Sequence, residues 1–196
     1  MVEPHSLLDV VSALALAIGL AACAGLRAWL PLLMAGGLAR AGWLDLGPSF
    51  AFLSSDKALL LFGIATVLEL LADKIPAVDH ALDMLSTPLR PIAGAVLASS
   101  VLGGVADPLT AIVLGVAVGA PTALLPHAAK SLARAASTTF TAGLANPVLS
   151  ELEDVLAVLL FVLAVLVPLA VAAGVIALAV LVLRRRSRLH PAVRPA

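Results

Sequence analysis

Tyrosine is absent from the 196 residues, cysteine occurs once, and only 12% of the chain is charged. Each shortage excludes something. A lone cysteine, Cys23, cannot close an internal disulfide or anchor a cysteine-rich metal site. A soluble domain carries about 25% charged residues, so this chain has roughly half the charge needed to cover a surface in water. That excludes an ordinary soluble domain and a disordered segment. Basic residues are scarce as well: before position 184 there are seven Lys and Arg against twelve Asp and Glu. A nucleic-acid binder relying on a basic face is therefore excluded. What the chain does have is apolar mass, 62% of its residues, with a mean hydropathy of +1.12. These figures predict an all-α, polytopic helical membrane protein.

Crossing about 30 Å of hydrocarbon takes roughly 20 apolar residues in a helix. The candidate segments are Leu7 to Ala24, Leu26 to Ala41, Lys57 to Leu71, Pro91 to Ala106, Leu109 to Leu125 and Leu152 to Leu183. Five to seven crossings fit them, in one transmembrane domain over residues 1–183. The second segment opens on Arg27 and contains Pro31, which predicts a broken, re-entrant or kinked helix. The last is too long for one crossing and short for two, and Pro168 and Gly174 inside it leave a kinked helix or a hairpin open.

Arg184, Arg185, Arg186, Arg188 and Arg194 make residues 184–196 a basic tail, expected on the cytoplasmic side of a cell (inner) membrane. Leu20 to Cys23 has the pattern of a lipoprotein cleavage site. Glu3, His5 and Asp9 occupy the region where a signal peptide carries positive charge, so Cys23 reads as a small residue of the first span. A weak repeat relates possible halves 7–90 and 91–183. Ile18 to Ala21 matches Leu114 to Ala117, Pro31 matches Pro126, and Leu38 to Arg40 matches Leu132 to Arg134. Pseudo-symmetric halves with interrupted helices occur in secondary transporters, and apolar chains also match by chance.

Polar residues inside apolar runs are the candidate site. Glu69 lies in a span and shares a helix face with Asp73, four residues on. It reads either as a cation or proton site or as half of an ion pair with Arg27, Lys74 or Arg90. Arg27 is its basic counterpart, either as structural partner or as the point where an anion meets the broken helix. Asp79, Asp83 and Thr87 recur every four residues between Pro76 and Pro88, with His80 nearby, predicting a short amphipathic helix whose polar face is solvated or holds a cation. Ser150 and Glu153 read as a capping box, with Asp154 complementing the helix dipole. Asn146-Pro147 before them can form an interrupted stretch, which keeps Glu153, Asp154 and Asn146 as site candidates. His127, Lys130 and Arg134 form one basic face, expected at the headgroups. Gly115 and Gly119 make a GxxxG step suited to self-association or to close packing within the chain.

The blocks GLRAWLPLL (25–33), ELLADKIPAVDHALD (69–83), TPLRPIAGA (87–95) and NPVLSELEDVLA (146–157) occur in order. On them the chain resembles a bacterial integral-membrane family known as domain of unknown function 4126. The resemblance implies a multi-span membrane protein and supplies no reaction or substrate.

Two functions are consistent with these residues. One is a small-solute or cation transporter or channel working through intramembrane carboxylates. The other is a membrane scaffold or accessory subunit whose charges are structural ion pairs. No nucleophile or metal signature points to an enzyme, and no cofactor is expected. The expected partners are membrane lipids, a small ion or solute and, through Gly115 and Gly119, a second copy of the chain.

Overall fold

A computed structural model describes residues 6–72, 76–142 and 144–189. Among these residues there is no strand; the elements are eight α-helices, one 3-10 turn and one π turn. Helix α1 spans Leu7–Leu26, α2 Leu30–Arg40, α3 Asp56–Ala72, α4 Pro76–Leu102, α5 Pro108–Leu114, α6 Ala120–Thr141, α7 Asn146–Leu166 and α8 Pro168–Leu189. The all-α expectation is met.

Helix α1 is the axis, touching α4, α6, α7 and α8. It starts with a capping box, in which the Ser6 hydroxyl accepts from the Asp9 amide and the Asp9 carboxylate accepts from the Ser6 amide. Its second half, Gly19 to Gly25, is fully buried and mostly Ala and Gly. Such small side chains let neighbouring backbones close in. At Gly25 a side chain would collide with the Ala123 carbonyl on α6. The helix ends where Arg27 turns extended (φ −135°, ψ 125°), and Pro31 starts α2 in its first turn. The break expected around Arg27 and Pro31 is present.

Two prolines were expected to divide residues 76–106 into an interfacial helix and a separate span. Instead Pro88 and Pro91 both lie inside one helix, α4. Each proline costs a backbone hydrogen bond, but the turns beyond them are anchored by buried Ala93, Leu97, Ala98 and Val101, so the helix stays continuous. Helices α5 and α6 are joined by the π turn Gly115–Gly119 and run together for 34 residues, beyond the expected end at Leu125. Gly115 packs on Ser99, and Gly119 on Gly94 and Ala98, where any side chain would clash. The GxxxG step thus serves packing inside the chain, between the π turn and α4.

The capping box expected at Ser150 is not formed. Helix α7 begins a turn earlier at Asn146, with Pro147 in its first turn. Ser150 is therefore already inside the helix, and Glu153 is drawn to α6. The long final run resolves into two helices, because Val167 leaves helical geometry (φ −138°, ψ 61°) and Pro168 starts α8. Both helices lie against α1.

Helix α1 and the 34-residue α5–α6 run are long and apolar enough to cross a membrane, and the 3-10 turn Pro48–Ser54 with α3 forms a third candidate bent by 58°. The outer faces agree with that setting. Leu60, Leu61, Ile64, Val67, Leu68 and Leu71 on α3 are all exposed, a continuous apolar stripe that a soluble monomer would not show to water.

Candidate functional site

Buried charge gathers around the α1–α2 break. Arg27 is 0% exposed and Arg90 1% exposed. Arg90 projects from α4, and its Nη1 donates to the carbonyls of Gly25 at 3.0 Å and Leu26 at 3.2 Å. These belong to the last turn of α1, whose carbonyls have no helical donor. From α3 the Glu69 carboxylate accepts from the Ala28 amide at 3.1 Å and the Trp29 amide at 3.4 Å. Those amides open α2 and are orphaned for the same reason. A cation thus closes the negative end of one helix and an anion the positive end of the next, the favourable sense for both helix dipoles. The Trp29 ring stacks on Phe62 of α3, with centroids 6.2 Å apart.

The expected pair between Glu69 and Arg27 is not made. Arg27 turns the other way, to α7, where its guanidinium forms an ion pair with Asp154 and donates to the Ser150 hydroxyl at 3.0 Å. The reason lies in the backbone: Arg27 sits on the extended residue between the helices, and the amides just after it already occupy Glu69.

A second group lies between α6 and α7. The Glu153 carboxylate, 7% exposed, takes Lys130 at 2.9 Å and Arg134 through two guanidinium contacts, at 3.3 Å and 3.1 Å. Lys130 and Arg134 were expected at the headgroups, yet both are buried. Pro126, Lys130, Arg134 and Ser137 form the buried stripe of α6, so charges and core share one face. His127, the third member of the expected basic face, is half-buried, with Nε2 3.5 Å from the Thr87 hydroxyl. A cavity of about 670 Å³ opens between α1, α6, α7 and α8, with apolar walls except at Lys130 and Glu153.

The chain belongs to the family described as Domain of unknown function (DUF4126), which matches residues 14–188. No curated protein and no solved structure is matched. The family match covers both charge groups and every helix that bears them.

Of the remaining candidates, Asn146 is half-buried at the start of α7, and its Oδ1 is buried without a hydrogen-bond partner. Asp73 lies outside the described residues. Asp79 and Asp83 are on the first half of α4, with their side chains outside the described residues. Among the described residues no three His, Cys, Asp or Glu converge as a metal site would require.

Sequence reading offered Arg90 only as a possible ion-pair partner of Glu69, whereas its guanidinium goes to the α1 carbonyls. The available signal was its place between two prolines in an otherwise apolar segment. It missed Thr66, which lies one turn before Glu69, is 4% exposed, and has a buried hydroxyl without a hydrogen-bond partner.

Proposed function

We propose that this chain is a multi-span membrane protein that moves a small solute or cation across a cell (inner) membrane, with its basic tail on the cytoplasmic side. One observation carries the reading. The α1–α2 segment is interrupted, and both ends of the interruption are held by ionisable side chains from neighbouring helices, Arg90 and Glu69. Non-helical backbone at membrane depth is tolerated only inside protein or along a cavity, and interrupted helices are where secondary transporters bind their cargo. Glu69 is the working carboxylate in this reading.

The test is flux in proteoliposomes across a panel of ions and small metabolites. Wild-type protein is expected to move at least one of them, and Glu69→Gln to abolish that movement while still unfolding cooperatively in detergent. Absence of wild-type flux across the panel would overturn the proposal.

A second reading, a non-transporting scaffold or accessory subunit, is favoured by a different observation. Arg27 meets Asp154, and Glu153 meets both Lys130 and Arg134. Those pairs account for their charges without any solute.

A further inference from the structure

We propose that Glu69 and Thr66 form a binding site for a monovalent metal cation beside the α1–α2 break. The proposal rests on the transport reading and names the ion that the break would hold.

Phe62, Thr66 and Glu69 stand at successive positions on one face of α3, spaced by four and three residues. Both ends of that row meet the break: the Phe62 ring stacks on Trp29, and Glu69 accepts from the amides of Ala28 and Trp29. Thr66 lies between them on that face and is buried, 4% exposed. A threonine in a helix commonly satisfies its hydroxyl on a carbonyl one turn back. Here that bond is not made, and the oxygen has no hydrogen-bond partner. An orphaned buried hydroxyl carries a desolvation cost that a ligand would remove.

Glu69 supplies the charge. Its carboxylate has about four lone-pair positions, and two backbone amides use two of them. The neighbouring cations are engaged elsewhere, Arg27 with Asp154 and Arg90 with the α1 carbonyls. Glu69 is half-buried, which leaves the site a route for an ion to enter.

The donor count selects the ion class. One carboxylate and one hydroxyl are hard oxygen donors, the type that group 1 and group 2 cations take. A divalent ion on Glu69 alone would keep an uncompensated positive charge inside the bundle, and no group of three His, Cys, Asp or Glu is found among the described residues. A singly charged ion matches one carboxylate, and water completes its shell.

The chain contains two tryptophans, and Trp43 is exposed. In a Trp43→Phe background, Trp29 becomes the sole indole and reports on the site directly. Purified full-length protein in detergent would be titrated with NaCl, LiCl or KCl, with choline chloride holding the ionic strength constant. A saturable change in Trp29 emission with at least one of the three is expected. Glu69→Gln should remove it. Thr66→Val should raise its midpoint about tenfold, the equivalent of about 1.4 kcal/mol, and Thr66→Ser should restore it.

Thermal midpoints establish that each variant is folded. If Glu69→Gln does not fold, Thr66→Val and Thr66→Ser decide alone. No response to any of the three salts, a response that survives Glu69→Gln, an unshifted Thr66→Val midpoint, or a response to pH alone would each overturn the site. Flux is measured separately, so the two proposals fail independently. Ion binding without flux keeps the site and removes transport, and flux without ion binding does the reverse.

Discussion

At the α1–α2 break Arg90 and Glu69 meet backbone, whereas Arg27, inside the break, and the buried charges of α6 and α7 meet other charges. Arg90 and Glu69 take carbonyls and amides that a broken helix leaves open. Arg27, Lys130, Arg134, Glu153 and Asp154 take one another, with Ser150 assisting. The difference concerns what each group can lose. A buried ion pair that loses one member leaves the other uncompensated, a cost of about 3–5 kcal/mol. At the break, Glu69→Gln keeps one acceptor oxygen for the two amides that the carboxylate serves and loses the charge–dipole attraction, but it leaves no second charge buried without its partner. The α6–α7 network is therefore built to hold helices together. The break instead ties Glu69 and Arg90 to the open backbone groups of two helix ends.

Breaking the network should have the largest effect. Glu153→Ala strips Lys130 and Arg134 of their shared carboxylate and should destabilise the protein by about 3–5 kcal/mol, read as unfolding of detergent-solubilised protein. A loss below about 1 kcal/mol would show that α6 and α7 do not depend on it.

Next in size is Gly25→Ala, which drives a methyl group into the Ala123 carbonyl and should cost about 1–3 kcal/mol by overpacking. A neutral outcome would mean that the last turn of α1 can shift and that the break is not rigidly seated.

Glu69→Gln should cost only about 1–2 kcal/mol, one charge–dipole term at a helix end and one backbone hydrogen bond. A loss as large as that of Glu153→Ala would erase the distinction between the two regions.

The smallest effect lies outside both. Asp107 caps α5, and the hydrogen bonds it receives from Thr110 hold its carboxyl below the ordinary aspartate value. A carboxyl depressed in the folded state stabilises above its unfolded pKa, and that contribution disappears as pH falls through the folded value. The stability gap between wild type and Asp107→Ala should therefore be widest near neutrality and shrink in acid. A gap that grows in acid would reverse the sign.

Much of the architecture is legible in the sequence, because an apolar run and a proline are local signals. The break at Arg27 is written in Arg27 and Pro31, and the split at Val167 in Pro168. The pairing of charges is not local. Arg27 meets Ser150 at 123 residues' separation, and Arg90 meets Gly25 at 65, distances over which periodicity carries no information. Glu69 and Arg27 stood out correctly as polar groups inside apolar segments, and it was natural to pair them. Their backbone neighbours decided otherwise.

The misread capping box has a similar cause. Ser150 and Glu153 have the right spacing, but Pro147 starts the helix a turn earlier, and a motif cannot announce that its position is already inside a helix. Lys130 and Arg134 were placed at the headgroups because, with His127, they form one basic face. The stripe they share with Pro126 and Ser137 is what places them inside.

Arg90 and Glu69 also have a mechanical consequence. They stand on α4 and α3, consecutive helices, and each grips one side of the same gap in the chain. A joint latched from two separate arms registers the spacing between those arms. Drawing α3 and α4 apart would load the Glu69 and Arg90 latches together, and releasing either one would free only half the joint. The seating of the interruption is thus tied to the relative position of α3 and α4, with one latch on each.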